Sequence, residues 1–382
     1  MNVLYLISSS GLYGAENMVL QLAQAVQGMN CCPVIGVLRN AHQPNLEIAD
    51  VAQRRGLQVE VIPCRGRLDF STSAAIRACM LRHEIEVVHT HGYKANFYGY
   101  WATRTTYTPI VATCHNWPGQ TTALRLYYIG DRLILRQFDH IAAVSQTLVS
   151  RLEKSGIKPQ QISLIENAID PTPFLSAQSL RIEHHETQKV IGVVGRLEKQ
   201  KGFHFFLQAA HHILQSFPNT LFLIAGDGPE RAALENQTRG LGIAENVVFL
   251  GQVTQMAEVY ASMDIFALPS LNEGMPMVVI EAMAAGKPVV ASRVGAIPEV
   301  VTEEETGLLV EPGNVPALQA AFQYLLENPT LCSKWGLQGR ERVVNHFSSV
   351  QMGRKYLDVY SSVRSKKSSP QLSCSQLTKR IE

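Results

Sequence analysis

Short apolar segments alternate with longer segments of helical pattern along most of this 382-residue chain. The short segments lack strict polar–apolar alternation, which is typical of strands that are covered on both faces. Strands that alternate with helices predict right-handed β-α-β units, and therefore an α/β protein with parallel sheets. We expect helices at 15–27, 73–83 and 146–154, and strands at 3–8, 33–39, 59–64, 87–91, 110–114, 141–145, 162–167, 190–195, 221–225, 247–250, 265–269, 289–292 and 307–310.

The length of the chain suggests two domains, although a single large α/β domain remains an alternative. The segment 171–187 is polar, bears prolines and shows no clear period, so it is the best candidate for a linker. We expect two Rossmann-like domains, at 1–170 and 188–347, followed by a helix at 348–363 that packs back on the first domain. The last residues, 364–382, are rich in serine, lysine and glutamine and are expected to be disordered.

Composition excludes several classes of protein. A net charge of +2 gives no reason to expect a nucleic-acid partner. The seven cysteines are scattered without a CxxC pair, which fits a reduced cytosolic compartment better than a disulfide framework. No apolar stretch approaches the ~20 residues that span a bilayer, and we interpret the opening "MNVLYLISSSGLYG" as a strand and not as a signal peptide. We therefore expect a cytoplasmic protein, with peripheral binding at the inner face of the membrane as an option.

Open parallel sheets bind ligands at the carboxyl ends of their strands, so polar residues just past strand ends are the candidates for function. The first strand is followed by "SSSGLYGAE", where Gly11 and Gly14 permit close backbone approach and a helix begins near Gly14. The unpaired N–H groups at the start of that helix would attract an anion. The stretch is neither a GxGxxG motif nor a P-loop, so a tight turn explains it equally well.

The fourth strand ends in "VVHTHGYKAN", whose histidines His89 and His91 lie on one side of the strand. Half of a metal site is one interpretation, but no companion ligand stands at a suitable spacing. A hydrogen-bonded structural histidine is the commoner explanation for one of the two. We expect His91, the last residue before the glycine turn, to contact a substrate hydroxyl.

Two cations follow the first strand of the second half, in "VVGRLEKQKGF". Arg196 comes directly after the strand and Lys201 stands where the next helix begins, an arrangement that suits a diphosphate. A solvated charged loop is the alternative. The next strand end, "IAGDGPE", is interpreted mainly as a turn ahead of a helix with proline in its first position, and Asp227 is a minor candidate for ligand contact.

The stretch "NEGMPMVVIEAMAAG" keeps two carboxylates, Glu273 on the loop before a helix and Glu281 inside the helix. A carboxylate among the apolar neighbours of Glu281 is costly unless it is paired. We expect Glu281 to receive the hydroxyls of a ribose and Glu273 those of a sugar, with a diphosphate at the helix N-terminus between them. The alternative is that Glu273 caps the helix and that Glu281 is paired inside the protein.

Several stretches together carry a family resemblance. In the second half "GRLEKQKGF", "AGDGPER", "VVFLG" and "NEGMPMVVIEAMAAGKPVVASRVGAIPEVV" resemble the carboxyl domain of the retaining glycosyltransferases of family 4. In the first half "GLYGAE", "HTHG", "AVSQ" and "IENAID" resemble the matching stretches of the amino domain. The resemblance runs from residue 3 to about residue 347 and is strongest over 190–310. It implies the GT-B fold, in which two Rossmann-like domains face their parallel sheets across a cleft.

The resemblance implies a role for each candidate. Glu281 would hold the ribose of the donor and Glu273 the transferred sugar, while Arg196 and Lys201 neutralise the leaving diphosphate. His91 would lie near the reacting face of the sugar, which makes the catalytic set His91, Glu273, Arg196 and Lys201. The donor would contact Gly14, Arg196, Lys201, Phe249, Gly251, Glu273, Gly274, Met275, Met277, Val278 and Glu281, with the turn at 249–251 meeting the base through its backbone. The acceptor would contact Tyr13, Glu16, Asn116 and Asn167.

Enzymes of this family transfer a sugar from a nucleoside diphosphate to an acceptor with retention of anomeric configuration, usually without a metal or other cofactor. The chain has no DxD motif, which agrees with metal independence. It departs from the family pattern at Asn17, Met275 and Ala296, so the base of the donor (UDP, GDP or ADP) and its sugar stay open.

The acceptor is expected to be lipid-linked or a growing surface polysaccharide, reached from the cytoplasmic leaflet. Two predicted segments of the first half are basic, and a basic amphipathic helix can lie on anionic lipid. A solvated cationic face is the commoner explanation. The basic sets are Arg54, Arg55, Arg65, Arg67 and Arg77, and Arg125, Arg132 and Arg136 with Leu126, Tyr127, Leu133 and Ile134.

Three other functions remain open from the sequence. A nucleotide-sugar epimerase or hydrolase of the same architecture would bind the donor without needing an acceptor. A dinucleotide-binding oxidoreductase should show GxGxxG with an acid ~20 residues on, and that motif does not follow the first strand. A non-catalytic nucleotide-binding subunit is disfavoured because four charged candidates are intact, Arg196, Lys201, Glu273 and Glu281.

Overall fold

The computed structural model describes residues 1–9, 11–41, 45–66, 69–115, 122–180 and 188–368. The chain divides into two compact units, one formed by Met1–Glu166 with the chain from Ser349 onward, the other by Asn167–Ser348. Residues 181–187 of the expected linker and residues 369–382 of the expected tail lie outside the described residues.

The first unit is built on a parallel sheet whose described strands run in the order β3-β2-β1-β4-β5-β6-β7. Strand β1 pairs with β2 on one side and β4 on the other, so the strand order reverses between β1 and β4. The carboxyl ends of these two strands therefore form the switch point where open α/β sheets bind ligands. The strands are β1 Asn2–Ile7, β2 Cys32–Asn40, β3 Gln58–Cys64, β4 Val87–His91, β5 Ile110–Cys114, β6 His140–Ala143 and β7 Ile162–Leu164.

Helices cover the faces of this sheet, and its central strands are buried. Val3, Leu4, Tyr5 and Leu6 of β1 have no exposed surface, as expected of a strand with helices on both faces. The helices of the unit are α1 Gly14–Gln27, α2 Glu47–Arg54, α3 Phe70–Arg82, α4 Tyr93–Thr103, α5 Thr122–Leu135, α6 Gln146–Lys154 and, at the end of the chain, α15 Ser349–Ser368. Helix α15 packs against α1, where Gly353 lets Ala25 approach.

The second unit repeats the design with a parallel sheet in the order β10-β9-β8-β11-β12-β13. Its switch point lies between β8 and β11, which are hydrogen-bonded neighbours. The strands are β8 Lys189–Val194, β9 Thr220–Ala225, β10 Val247–Gly251, β11 Ile265–Leu268, β12 Val289–Ser292 and β13 Gly307–Val310. The helices are α7 Thr172–Leu175, α8 Phe203–Ser216, α9 Arg231–Gly240, α10 Met256–Ala261, α11 Met277–Ala284, α12 Ile297–Val300, α13 Val315–Glu327 and α14 Pro329–His346.

An aromatic cluster anchors the core of the second unit. Phe206 of α8 packs edge-to-face on Phe222 of β9 at a centroid distance of 5.6 Å and on Phe322 of α13 at 6.0 Å. Such geometry suits the ring quadrupoles and adds to the burial of large apolar surface. The sheet and α8 are thereby fixed together, which steadies the loop between β8 and α8 that carries two of the candidate residues.

The predicted α/β fold with two parallel sheets is confirmed, and two strand ends are corrected. Strand β6 stops at Ala143, because Ser145 turns to cap α6 by accepting a hydrogen bond from the Leu148 N–H at 3.3 Å. Strand β7 stops at Leu164, not at residue 167, because Asn167 bonds to Met275 through its backbone and side-chain amides, at 3.1 Å each.

The last helix is longer than expected. It continues to Ser368, so residues 364–368 are helical and the prediction of disorder from 364 onward is wrong for them. The physical reason is a set of ion pairs along this last part of the helix: Arg364 with Glu86 at 2.9 Å and Lys367 with Asp139 at 2.8 Å. In the described residues no helix has the length and apolarity to cross a membrane.

Candidate active site

Glycines bring three loops together at the carboxyl edge of the second sheet. Gly202, before α8, has φ of 70°, and a Cβ there would lie 2.0 Å from the carbonyl oxygen of Pro269. Gly295, before α12, has φ of 55°, and a Cβ there would lie 2.0 Å from the carbonyl oxygen of Glu273. Only glycine fits such positions. The loops after β8 and β12 are therefore both pressed against the loop after β11.

Lys201 and Glu273 meet where two of these loops touch. Lys201 Nζ donates to Glu273 Oε1 at 2.7 Å, and the Ser270 hydroxyl donates to the same oxygen at 2.7 Å. The Glu273 side chain is 7% exposed and that of Lys201 is 21% exposed, so the ion pair is shielded from bulk water. The structure thus brings Lys201, predicted for the diphosphate, into contact with Glu273, predicted for the sugar, and it adds Ser270, which sequence reasoning missed.

Helix α11 begins just after Glu273 and leaves its N-terminus uncapped by side chains. Its N-cap is Pro276, no side-chain cap bonds to the first turn within the described chain, and the first turn has no acidic residue. The alternative in which Glu273 caps this helix is therefore wrong. Unpaired N–H groups and the helix dipole make such an end a favourable position for an anion.

Glu281 lies one turn further along α11 and is bound to Tyr260. The Tyr260 hydroxyl donates to Glu281 Oε2 at 2.7 Å. Burial raises the pKa of Glu281, and the hydrogen bond from Tyr260 lowers it in part. The alternative of internal pairing is thus correct for one oxygen of Glu281. Tyr260 is a residue that the sequence analysis missed, because only the packing of α10 on α11 reveals it.

Arg196 was predicted to share a diphosphate with Lys201, and in the structure each of the two cations pairs with a carboxylate. The Arg196 guanidinium forms an ion pair with Glu198 at 2.9 Å, whereas Lys201 pairs with Glu273. The two cations expected to share a diphosphate are therefore each engaged with a carboxylate. Binding of a dianion between them would require both ion pairs to rearrange or to share their cation.

The predicted base-contacting turn lies at the end of β10. Gly251 has φ of 68°, and its carbonyl accepts a hydrogen bond from the Gly226 N–H at 2.8 Å. The Arg231 guanidinium lies 5.9 Å from the centroid of the Phe249 ring and is held by Glu235 at 2.9 Å. Arg231 was missed by the sequence analysis, although the i,i+4 spacing of Arg231 and Glu235 was a usable signal.

The other residues predicted to contact the donor lie in or beside the same loops. The Gly274 carbonyl accepts a hydrogen bond from the Ala296 N–H at 3.0 Å, and Met275 and Met277 are buried. Val278 is partly exposed. Asp227 bonds to the Gly228 N–H at 2.7 Å, which fits its predicted role in setting a turn.

Asn167, predicted to contact the acceptor, belongs to the second unit and not to the first domain as its expected boundary implied. Its side-chain N–H donates to the Met275 carbonyl at 3.1 Å. Its Oδ1 is buried and has no hydrogen-bond partner among the described residues. An unpaired buried acceptor is costly, so this oxygen is available to a ligand donor beside the Glu273 loop.

In the first unit, His89 and His91 separate into the two roles that the sequence left open. His89 is structural, since Nδ1 meets the Tyr360 hydroxyl and Nε2 meets the Thr113 hydroxyl, each at 2.7 Å. Both of its nitrogens are engaged, so His89 is not available as a metal ligand. His91 instead meets a third histidine, with Nδ1 at 3.0 Å from Nε2 of His115.

The His91–His115 pair offers one hydrogen-bond donor and one acceptor to a ligand. Burial lowers the pKa of His91 well below its usual value and that of His115 to about 4, so both rings are neutral at pH 7. One ring donates to the other, which leaves one N–H and one lone pair at His91 Nε2 and His115 Nδ1. Both atoms are buried and lack a partner among the described residues. The two rings meet through their other nitrogens, with centroids 5.4 Å apart, so these two atoms point away from each other and each would bond to a separate ligand group.

His115 was missed by the sequence analysis, yet a signal was present. It directly follows a predicted strand, as His91 ends the neighbouring one, and parallel neighbours end at the same edge.

The predicted contacts of α1 are mainly internal. Gly14 is the first residue of the helix, and Glu16 is buried with Oε2 accepting a hydrogen bond from the Tyr13 N–H at 3.2 Å. Burial raises the pKa of Glu16. The N-terminus of α1 is thus capped by the chain itself, in contrast to α11. Asn116, the remaining acceptor candidate, lies outside the described residues, as does Arg67 of the basic set.

Comparison with known proteins gives matches over both units. Residues 177–342 match the family Glycosyl transferases group 1, and residues 13–172 match Glycosyltransferase Family 4. The chain is 30% identical to the phosphatidyl-myo-inositol mannosyltransferase of Mycobacterium leprae, over 92% of this chain and 93% of that protein. It is also 30% identical to the N-acetyl-alpha-D-glucosaminyl L-malate synthase of Bacillus anthracis, over 61% of this chain and 62% of that protein. The solved structure of Anabaena HepE in complex with UDP superimposes with a TM-score of 0.83 at 21% identity, covering 95% of this chain and 100% of that one.

The two parallel α/β units and these matches define a glycosyltransferase of the GT-B fold. The chain belongs to glycosyltransferase family 4, as its motifs indicated. The alternative of a dinucleotide-binding oxidoreductase is therefore wrong.

Proposed function

We propose that this glycosyltransferase moves a sugar from a nucleoside diphosphate to an acceptor with retention of configuration, and that the donor binds on the second unit. One observation carries the proposal: Glu273, held by Lys201 and Ser270, lies directly before the uncapped N-terminus of α11, with Glu281 one turn behind it. A carboxylate, a cation and a helix end adjoin there, matching the sugar, diphosphate and ribose of one donor molecule.

Each part of the site contacts a different part of the donor. The carboxylate of Glu281 accepts hydrogen bonds from the ribose hydroxyls, and Tyr260 fixes its orientation. The diphosphate lies at the N-terminus of α11, where backbone N–H groups point at an anion. Glu273 accepts from hydroxyls of the sugar. The turn at 249–251 contacts the base through its backbone, with Arg231 beside it.

In the chemical step the bond between the anomeric carbon and the diphosphate oxygen breaks and the acceptor hydroxyl oxygen bonds to that carbon from the same face. Negative charge develops on the leaving diphosphate, which takes the hydroxyl proton. Lys201, Arg196 and the dipole of α11 stabilise that charge, and groups already oriented toward it need little reorganisation. We therefore propose that transfer needs no metal. On the first unit, His91 Nε2 is buried and lacks a partner among the described residues, so we propose that it bonds to a sugar hydroxyl, the role that the resemblance gives to His91.

The donor is proposed to carry UDP, because the similar structure of HepE binds it. The acceptor is proposed to be lipid-linked or a polysaccharide, since the M. leprae relative is named for a phosphatidyl-inositol acceptor.

A membrane surface is proposed as the place of transfer. Ile129 and Leu133, one turn apart on α5, are 54% and 56% exposed, and Arg132 lies between them in sequence. Exposed apolar side chains with basic neighbours favour an anionic bilayer surface. The side chains of residues 122–128, which include Arg125, Leu126 and Tyr127, lie outside the described ones.

To test the proposal, the protein is incubated in EDTA with UDP-, GDP- or ADP-sugars. Each donor is supplied with and without a sugar acceptor linked to polyprenyl phosphate. Transfer from one donor class with an α-linked product supports the proposal. Hydrolysis or epimerisation of the donor without transfer to any acceptor contradicts it and favours the alternative activity. Loss of transfer in EDTA, restored by a divalent ion, contradicts metal independence.

Vesicle flotation tests the membrane surface separately. We expect binding to vesicles with anionic lipid and not to zwitterionic ones, and we expect the double variant Ile129→Ser, Leu133→Ser to lose it. Leu337→Ser, at an exposed apolar residue of the second unit, is the control. Equal flotation of all three proteins would contradict this assignment of the surface.

A further inference from the structure

Beneath the His91–His115 pair lies a second layer of hydrogen bonds on the same face of the first sheet. His89 precedes His91 by two positions in β4, and Thr113 precedes His115 by two positions at β5, so all four side chains share a face. His89 Nε2 meets the Thr113 hydroxyl at 2.7 Å, as His91 Nδ1 meets His115 Nε2 one level above at 3.0 Å. We call His89 and Thr113 the lower pair and His91 and His115 the upper pair; the lower pair is the floor on which the upper pair packs.

The last helix of the chain completes this floor. On α15, the Tyr360 hydroxyl meets His89 Nδ1 at 2.7 Å and the Tyr356 hydroxyl meets the Thr113 hydroxyl at 2.7 Å. The Tyr360 hydroxyl also lies 3.2 Å from that of Tyr5. These five groups form one continuous hydrogen-bonded row, and all five residues are buried. Two of them come from the last helix, and one of these, Tyr360, is 271 positions away from His89 in sequence.

The row fixes the tilt of His89. Both partners of the ring are hydroxyls, and because the Tyr360 hydroxyl donates to Tyr5, its oxygen is left to accept from a proton on His89 Nδ1. A neutral imidazole carries one N–H, and the partners of its two nitrogens decide which nitrogen bears it. The centroid of the His89 ring lies 4.3 Å from that of His91, and the Tyr5 ring lies 5.4 Å from His89 and 6.3 Å from His91. Because protein interiors are close-packed, a change in the tilt of His89 is transmitted to His91.

We propose that Tyr356 and Tyr360 are positioning residues, which act through Thr113 and His89 to hold the His91–His115 pair in the orientation that receives a substrate hydroxyl. The identity of that substrate rests on the proposed function, but the hydrogen-bonded row does not. The last helix thereby supports the upper histidine pair and is more than a structural return of the chain.

Conservative variants isolate the two hydroxyls. Tyr360→Phe keeps the ring and leaves His89 Nδ1 buried without a partner, whereas Tyr356→Phe leaves Thr113 its bond to His89. Tyr360→Phe is therefore expected to have the larger effect. Tyr324→Phe, at a half-exposed tyrosine of α13 in the second unit, removes a hydroxyl of the same kind and is the matched control.

The first readout is the ring-nitrogen NMR spectrum of histidine-labelled protein, which needs no activity. We expect Tyr360→Phe to change the tautomer of His89 and to shift or broaden the signals of His91 and His115. The second readout is kinetic: kcat should fall roughly tenfold, less than the ~100-fold that an ångström of misplacement can cost. The affinity for UDP should stay within about twofold, because its proposed partners lie on other elements.

Two results overturn the proposal. One is unchanged His91 and His115 signals in Tyr360→Phe, which would make the row purely structural. The other is a kcat equal to that of Tyr324→Phe. If the wild-type protein transfers no sugar from any donor, the proposed function fails, and the NMR comparison alone decides whether the tyrosines position the histidine pair.

Discussion

Lys201 donates a hydrogen bond to Glu273 over 2.7 Å although the two residues are 72 positions apart in the chain. Lys201 follows β8 and Glu273 follows β11, and these strands are neighbours in the sheet. Because parallel neighbours end at the same edge, the topology itself creates the ion pair. Glu273 thus has its orientation set before any ligand arrives, and an incoming diphosphate would compete with it for Lys201.

Removing the cation of this pair should affect both rate and stability. In Lys201→Met, Glu273 stays largely buried with Ser270 as its remaining partner. We expect kcat to fall ~10²–10³-fold, as for loss of a preorganised charge-stabilising donor. The free energy of unfolding should fall by ~1–3 kcal/mol, the cost of an unsatisfied buried group. Transfer kinetics and urea denaturation measure the two effects.

The matched control for Lys201 is Lys199→Met, an exposed cation in the same turn before α8. Its rate and stability should match those of the wild type. Equal rates for the two lysine variants would remove Lys201 from the chemistry and leave the diphosphate to Arg196.

Tyr260→Phe tests the support of Glu281. In the wild type, the hydrogen bond from Tyr260 lowers the pKa of Glu281. The variant lacks this bond, so its Glu281 pKa should lie further above the usual value. A ribose hydroxyl donates best to the ionised carboxylate. Donor affinity should therefore be lower than in the wild type on the acidic side of the pH range and approach the wild-type value as the pH rises. A pH series of donor KM decides the point, and an unchanged or downward-shifted midpoint would contradict it.

The sequence predicted the parts of the site that depend on position along one strand. Glu273, Lys201 and His91 each stand at or just beyond a strand's carboxyl end, where patterns of apolar runs and turn residues are informative. The helix with Glu281 was equally visible, because a lone carboxylate in an apolar run attracts attention.

The missed residues are those that depend on contacts between elements. Tyr260 and Ser270 are known as partners of the two acids only once α10, α11 and the loop after β11 are packed. The ion pair of Arg196 with Glu198 was not predicted either, although the two residues are only two positions apart. The extension of α15 to Ser368 depends on pairing with Glu86 and Asp139, which the polar composition of that segment does not reveal.

The loop that carries Lys201 should not tolerate a side chain at Gly202. A Cβ there would lie 2.0 Å from the Pro269 carbonyl oxygen, and the left-handed φ is itself strained for alanine. We expect Gly202→Ala to lose at least ~1–3 kcal/mol of stability and to reduce kcat, because Lys201 moves with the loop. The control is Gly240→Ala at the end of α9, where a Cβ meets no atom within 4 Å in the described chain. Equal melting temperatures for both variants would contradict the packing of these loops.

The buried histidines make stability depend on pH. The folded pKa of His115 is about 4, below the unfolded value of ~6.5, so the unfolded chain binds more protons between these values. The contribution of His115 to the free energy of unfolding is therefore complete above pH ~6.5 and is lost as the pH falls toward 4. His115→Gln should have a smaller slope of unfolding free energy against pH in this window than the wild type.

A carboxyl of the same unit should show the opposite sign. Burial raises the pKa of Asp131 to about 6, so the folded state binds its proton more tightly than the unfolded state. The stability that Asp131 contributes is therefore lost as the pH rises from ~3.8 to 6. Asp131→Asn removes this loss, so the rise of stability with pH that the histidines produce should be steeper in the variant. Urea denaturation from pH 4 to 7 measures both, and slopes that change in the same direction in the two variants would contradict the assignment.

The central claim is that α11 and the loop before it bind a nucleoside-diphosphate sugar. Calorimetric titration of the wild type, Glu281→Ala and Glu273→Ala with UDP, GDP and ADP, and with the corresponding sugar donors, tests it most directly. We expect one diphosphate to bind the wild type, Glu281→Ala to bind it at least tenfold more weakly, and Glu273→Ala to bind it normally while transferring sugar slowly. Equal binding by wild type and Glu281→Ala, or binding of no diphosphate at millimolar concentration, would contradict the account.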